Sequence, residues 1–293
     1  MNLSKLFLTL ALTCNLLTFC QDNEKEFNYL FVHGLGGDRN QIRPYIDYKV
    51  IKKGIACHSF NGPEVNEGSF FKSCLGQEDD IEQISDGITD KNISNPLIGV
   101  GVSKGAATLI NTVGSQAIPN IKALVLESPF ANASEVVRNH KLARYSALGF
   151  LFGGDRLAKW SFPNYKPDGI QPIKVVNKIP RDVPIMIFHS KKDALIDIEH
   201  SRKLYLELIK ENRDNVYLIE TEDGDHANVI WNQTRKNLFI LNVIHEFYKK
   251  YNLPYCPELI KNIDLKKFQP SLKEIQKKLM PQSSGFSSLT SKL

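Results

Sequence analysis

Ser103 lies in the run Gly101-Val102-Ser103-Lys104-Gly105, a spacing that suits a nucleophile raised on a sharp turn between a strand and a helix. A serine hydroxyl is a weak nucleophile near neutral pH, so it needs a histidine to take its proton and a carboxylate to hold that histidine. Both follow in chain order, Asp193 in HSKKD and His226 in GDH. Glu127 and Asp197 remain alternative acids, and His189, His200 and His245 alternative bases. Asp193 and His226 are preferred because each falls in a loop directly after a strand. The turn His33-Gly34-Leu35-Gly36-Gly37 can aim the Leu35 N–H, together with the Lys104 N–H, at negative charge developing on a substrate oxygen. The chain has 18 glycines, so the serine pattern alone carries little weight and its context decides.

That context is a series of short β-branched or aromatic runs: 28–33, 55–60, 97–102, 121–126, 183–188 and 216–220. Their nearly uniform apolarity predicts strands covered on both faces, hence a parallel sheet. Helical patterns at 79–88, 104–115, 135–152, 198–210 and 229–251 alternate with them, which predicts crossover connections and three α/β layers. Ser103 then sits between a strand and a helix at the carboxyl edge of the sheet, where ligands bind in such folds. Gly101 and Gly105 remove side chains that would clash at the turn. No Gly-Lys-Ser/Thr run or G-x-G-x-x-G follows that would suit a phosphate.

The remaining signals bound the biology. The chain has 293 residues, a hydrophobic content of 42% and a net charge of +5, ordinary for a soluble globular protein and no argument for a nucleic-acid partner. Lysines 261, 266, 267, 273, 277, 278 and 292 face only Asp264 and Glu274, which reads as a solvated face and tail rather than a docking strip. Residues 1–20, with one lysine ahead of an apolar stretch, resemble a signal peptide, so an extracytoplasmic (periplasmic or secreted) location is expected, with no stable transmembrane segment after cleavage. The terminal Ser291-Lys292-Leu293 resembles a peroxisomal address and is read as the end of a Ser-rich tail. Cleavage would leave Cys57, Cys74 and Cys256, enough for one internal bridge, with Cys57–Cys74 the candidate. No cysteine pair has metal-site spacing, and neither a metal nor an organic cofactor is expected.

Taken together, FVHGLGG, GVSKG, ALVLESPF, PIMIFHSKKD and GDH resemble the α/β-hydrolase superfamily, over about 28–251. The resemblance implies a three-layer α/β-hydrolase domain over 22–252 with a cap insertion at 131–181, followed by a helical extension and tail at 253–293. It implies Ser103 as nucleophile, Asp193 as acid, His226 as base, and Leu35 and Lys104 as oxyanion donors. The sheet departs from most members in lacking two strands before the His-Gly strand, which leaves about six, and Ser190 stands where many members have glycine. The implied activity is cleavage of carboxylic esters of small or lipid-like acyl groups through an acyl-enzyme. A serine peptidase or an acyl thioesterase on the same fold, or a non-catalytic binding module, are the alternatives. Within the cap, the apolar run 145–154 offers Leu148, Phe150, Leu151 and Phe152 as an acyl pocket, with Phe150 and Phe152 the named substrate residues; buried helix packing is the competing explanation.

Overall fold

The computed structural model describes residues 27–139, 155–232 and 235–279. The leader at 1–20, the run 145–154 with Phe150 and Phe152, and the terminal tripeptide lie outside the described residues.

Six strands form one parallel sheet: β1 (Asn28–Val32), β2 (Cys57–Ser59), β3 (Leu97–Val102), β4 (Ile121–Glu127), β5 (Ile185–Ser190) and β6 (Val216–Thr221). Their spatial order is β2-β1-β3-β4-β5-β6, so the winding reverses between β1 and β3. The strands are apolar at nearly every position because both faces are covered. Leu30, Leu124, Ile187 and Leu218 turn towards helices Glu78–Asp90, Lys104–Gly114 and Glu199–Ile209. Their neighbours Tyr29, Val125, Phe188 and Tyr217 turn towards helices Ile42–Asp47 and Leu238–Lys250. The result is the three-layer α/β architecture that the alternating pattern predicts. None of the described helices is long and apolar enough to cross a membrane.

The chain beyond residue 252 returns to this core. Leu253 and Leu265 are buried in the second layer and Ile275 in the first. Between them Gln269 donates to the Val216 carbonyl at 3.3 Å and accepts from the Tyr205 hydroxyl at 2.6 Å. Segment 253–279 therefore packs at edge strand β6, where Gln269 covers the Val216 carbonyl.

The helix expected over 229–251 starts at Leu238 instead. Residues Trp231–Asn232 and Arg235–Lys236 pair as a small antiparallel ribbon, and Val229 and Ile230 are buried beside it. The reason is Asn237. Its side-chain oxygen accepts the Ile240 N–H at 3.3 Å, its own N–H goes to the Ile230 carbonyl and its side-chain amide to the Val229 carbonyl. An asparagine that satisfies a helix N-terminus competes well against continuing the helix backwards. The Cys57–Cys74 bridge does not form; neither residue is bridged.

Asn237→Ala should destabilise the fold by about 1 kcal/mol through loss of the cap, measured by urea unfolding. An unchanged midpoint would show that the ribbon, not the cap, sets the helix start.

Candidate active site

Val102 ends β3 and Lys104 opens the next helix, so a single residue, Ser103, turns the chain. It does so at φ 55° and ψ −119°, a strained conformation for a residue with a side chain. Two glycines make the turn possible. A Cβ on Gly105 would lie 2.0 Å from the Val32 carbonyl oxygen, and one on Gly101 would lie 2.8 Å from the Ala106 backbone. The helix thus meets β1 and β3 more closely than any other residue type permits.

Asp193 and His226 stand after β5 and β6 at the same edge. His226 Nε2 lies 2.8 Å from Ser103 Oγ, and His226 Nδ1 lies 2.8 Å from Asp193 Oδ2. The Asp193 side chain is wholly buried and has donors on both oxygens. Oδ1 accepts the Leu195 and Ile196 N–H groups at 2.9 and 2.8 Å. Oδ2 accepts from His226 and, at 3.1 Å, from His189 Nε2. Burial works against the Asp193 charge, but the His189 and His226 hydrogen bonds outweigh it and hold the carboxyl well below its ordinary range. The Ser103 hydroxyl, the imidazole and the carboxylate form one continuous hydrogen-bonded chain.

The other candidates are engaged elsewhere. His189 is buried behind Asp193, its Nδ1 2.7 Å from the Ser201 hydroxyl. His200 accepts the Ala131 N–H, and burial pushes its imidazole down to about 4. His245 donates to the Lys49 carbonyl and accepts the Cys256 N–H; burial brings it also to about 4. Asp197 is exposed and takes the Glu199 N–H. Glu127 turns its two carboxylate oxygens to Tyr45 and Val229.

Two loops are fixed by Ser190 and Asp225, whose part in the site their motifs do not announce. The Ser190 hydroxyl donates to the Gly224 carbonyl at 2.8 Å and accepts the Lys192 N–H. Asp225 accepts the Ala194 N–H at 3.0 Å, so the acid loop and the histidine loop are stitched together twice.

The β1 turn lies against the serine, since a Cβ on Gly34 would be 3.5 Å from Ser103 Cβ. Gln41 accepts the Gly34 N–H at 2.8 Å. His33 accepts the Gly62 N–H at Nε2, which leaves Nδ1 to donate to the Gly34 carbonyl. Burial, with the Lys104 charge nearby, pushes the His33 imidazole down. Among the described residues, the Leu35 and Lys104 N–H groups have no backbone acceptor outside their own elements.

Lys104 has a second part to play that its place in the motif conceals. Its side chain is 2% exposed, with Nζ 2.6 Å from Glu64 Oε1 and 2.8 Å from Asp80 Oδ1. Asp80 also accepts the Gly76 N–H at 2.8 Å and the Cys74 thiol at 3.0 Å. Burial opposes the Lys104 charge, yet the two carboxylates raise its pKa above the ordinary value; Asp80, despite burial, is held down mainly by Lys104. The ion cluster anchors segment 62–80 under the helix that carries the serine.

No family model matches the chain. Among curated proteins it is similar to the uncharacterised protein YfhR of Escherichia coli K12, 24% identical over 202 residues, which make up 68% of this chain and 62% of YfhR. The chain thus spans less than two thirds of that relative's length. Among solved structures it superposes on the Pyrococcus furiosus esterase Pf2001 with a TM-score of 0.54 and 19% identity, covering 78% of this chain and 83% of that one. The fold is that of the α/β-hydrolases. The acylaminoacyl peptidase of Pyrococcus horikoshii also matches at a TM-score of 0.54 with 16% identity, over 85% of this chain and 40% of the peptidase. Within this α/β-hydrolase fold, the serine turn, the two later loops and the β1 turn all converge on one sheet edge.

Lys104→Met strands two buried carboxylates and should cost about 3–5 kcal/mol in urea unfolding. Adding Glu64→Gln and Asp80→Asn should restore most of that loss. A single variant as stable as the wild type would remove the cluster from any structural role.

Proposed function

We propose that the protein is a serine hydrolase that cleaves carboxylic esters through an acyl-enzyme. The observation that carries this reading is the unbroken hydrogen-bonded chain from Ser103 Oγ through His226 to Asp193 Oδ2. In this mechanism His226 Nε2 takes the Ser103 proton as Oγ attacks the substrate carbonyl carbon. Asp193 fixes the Nδ1–H tautomer and stabilises the imidazolium that forms. The Leu35 and Lys104 N–H groups meet the negative oxygen of the tetrahedral intermediate, each worth about 3 kcal/mol there. The imidazolium then protonates the departing alcohol, and a water activated by the same imidazole releases the acid.

Esterase and peptidase folds match the chain equally well, and the neighbouring surface supports an apolar acyl group. Leu35 packs into a cluster with Leu75, Ala107, Phe130 and Phe162 beside the serine-bearing helix. Phe70 lies over the β1 turn, 3.7 Å from where a Cβ on Gly36 would stand, and its ring centroid is 5.6 Å from that of Phe162. Phe70 and Phe71 are 46% and 60% exposed, so an apolar wall faces solvent next to the oxyanion turn. An acyl chain laid along it would gain ~0.8 kcal/mol per methylene buried.

Ser103→Ala should abolish turnover of a p-nitrophenyl ester with the fold intact, whereas substantial residual activity would refute the mechanism. Asp193→Asn should be more damaging than Asp197→Asn, since only the former touches His226. Rates on matched ester, thioester and peptide-amide substrates separate the three hydrolase readings, the ester being expected to lead. Phe70→Ser, at a half-exposed site, should reduce the preference for butyrate over acetate esters several-fold without lowering thermal stability. A preference unaltered by Phe70→Ser would move the acyl site away from this wall.

A further inference from the structure

Glu127 ends β4 with no exposed surface, and its oxygens reach the elements that carry the serine and the histidine. Its backbone carbonyl accepts the Ser103 N–H at 2.8 Å, the amide of the residue bent into the left-handed region. Its Oε1 accepts the Val229 N–H at 2.7 Å, and its Oε2 accepts the Tyr45 hydroxyl at 2.5 Å. Between His226 and Val229 the chain passes through Ala227 at φ 56°, so the histidine loop makes its own strained bend and needs an anchor beyond it. An apolar side chain would fill the same volume without the cost of burying a carboxyl group.

Resting on the serine-hydrolase reading, we propose that Glu127 is a positioning residue. Its carbonyl holds the Ser103 turn and its carboxylate holds the His226 loop, so that one rigid strand end sets the distance between nucleophile and base. Tyr45, from helix Ile42–Asp47, fixes the carboxylate from the other side.

The protonation state of Glu127 decides how firmly it holds. The titratable groups facing it are Tyr45 from that helix, His226 from the loop after β6 and Asp193 from the loop after β5. Burial pushes its carboxyl up, to about 7, against the opposing pull of the Tyr45 and Val229 hydrogen bonds. As a carboxylate it accepts both bonds with charge assistance. As the neutral acid it gives one acceptor site over to its own O–H and grips more weakly. Its negative charge also favours the imidazolium that His226 becomes during attack. The ionised form is therefore the competent one, and kcat rises as Glu127 loses its proton.

The test is steady-state kinetics on a p-nitrophenyl ester across pH for the wild type, Glu127→Gln, Tyr45→Phe and Ser103→Ala. Glu127→Gln should lower kcat about tenfold or more, in keeping with misplaced reacting groups, while KM stays within about twofold. The ionisation at about 7 should disappear from its kcat profile. Tyr45→Phe removes a bond that lowers the Glu127 pKa, so the same ionisation should move to higher pH. Wild-type kcat and pH profile in Glu127→Gln overturn the proposal, and so does an unmoved limb in Tyr45→Phe, which decides the matter alone if Glu127→Gln fails to fold. Activity surviving in Ser103→Ala would instead overturn the serine-hydrolase reading itself. Activity that depends on Ser103 but is indifferent to Glu127 would overturn only the positioning role.

Discussion

The Ser103 backbone sits at φ 55°, a conformation that costs about 1–3 kcal/mol for a residue with a side chain and persists only where the surroundings over-determine it. Here they do so from three directions. The Ser103 amide is tied to the Glu127 carbonyl, the last rung between β3 and β4. Gly105 lets the following helix press against the Val32 carbonyl, leaving no room for a relaxed turn. The Lys104 side chain runs into a buried pair of carboxylates and fixes the first turn of that helix. Relaxing the serine would break a sheet hydrogen bond, a backbone contact and an ion cluster at once.

The histidine side is organised by charge rather than by strain alone. Asp193 carries a buried negative charge whose oxygens are all occupied, two backbone amides on one and two imidazoles on the other. A carboxylate so fully bonded has no freedom to swing, and it delivers its field to His226 in a fixed direction. Ser190 and Asp225 bind the acid loop to the histidine loop, so the pair moves as one body if it moves at all. The site is thus two rigid halves, one on β3 and one on β5 and β6. β4, with Glu127 at its end, lies between them in the sheet.

Much of this was legible in the sequence because it is local. Apolar runs bounded by turn residues marked all six strands, and the β3 boundaries 97–102 could be read directly, since the glycine-rich turn punctuates them. Chain order and position after a strand pointed to Asp193 and His226, and the fold brings both into one hydrogen-bonded chain with Ser103. What stayed hidden is non-local. Nothing near Lys104 announces that Glu64 and Asp80, from separate segments, will bury its ammonium group. Glu127 looked like a rival acid because it too follows a strand; only the fold reveals that its carboxylate faces Tyr45 and Val229. The 229–251 stretch read as one helix because its apolar spacing outweighed a single asparagine, whose capping geometry depends on the buried Val229 and Ile230 carbonyls. Ser190, read as a departure from a common glycine, is a bridge between loops.

The most direct measurement is to mix the protein with a slowly deacylating ester, quench in acid within the first turnover, and locate the added acyl mass by peptide mass spectrometry. A serine hydrolase working through Ser103 should carry one acyl group per chain on that residue, with little accumulation when His226 is replaced by alanine. An acyl group on another residue, or turnover of the ester with no acylated protein at any quench time, would contradict it.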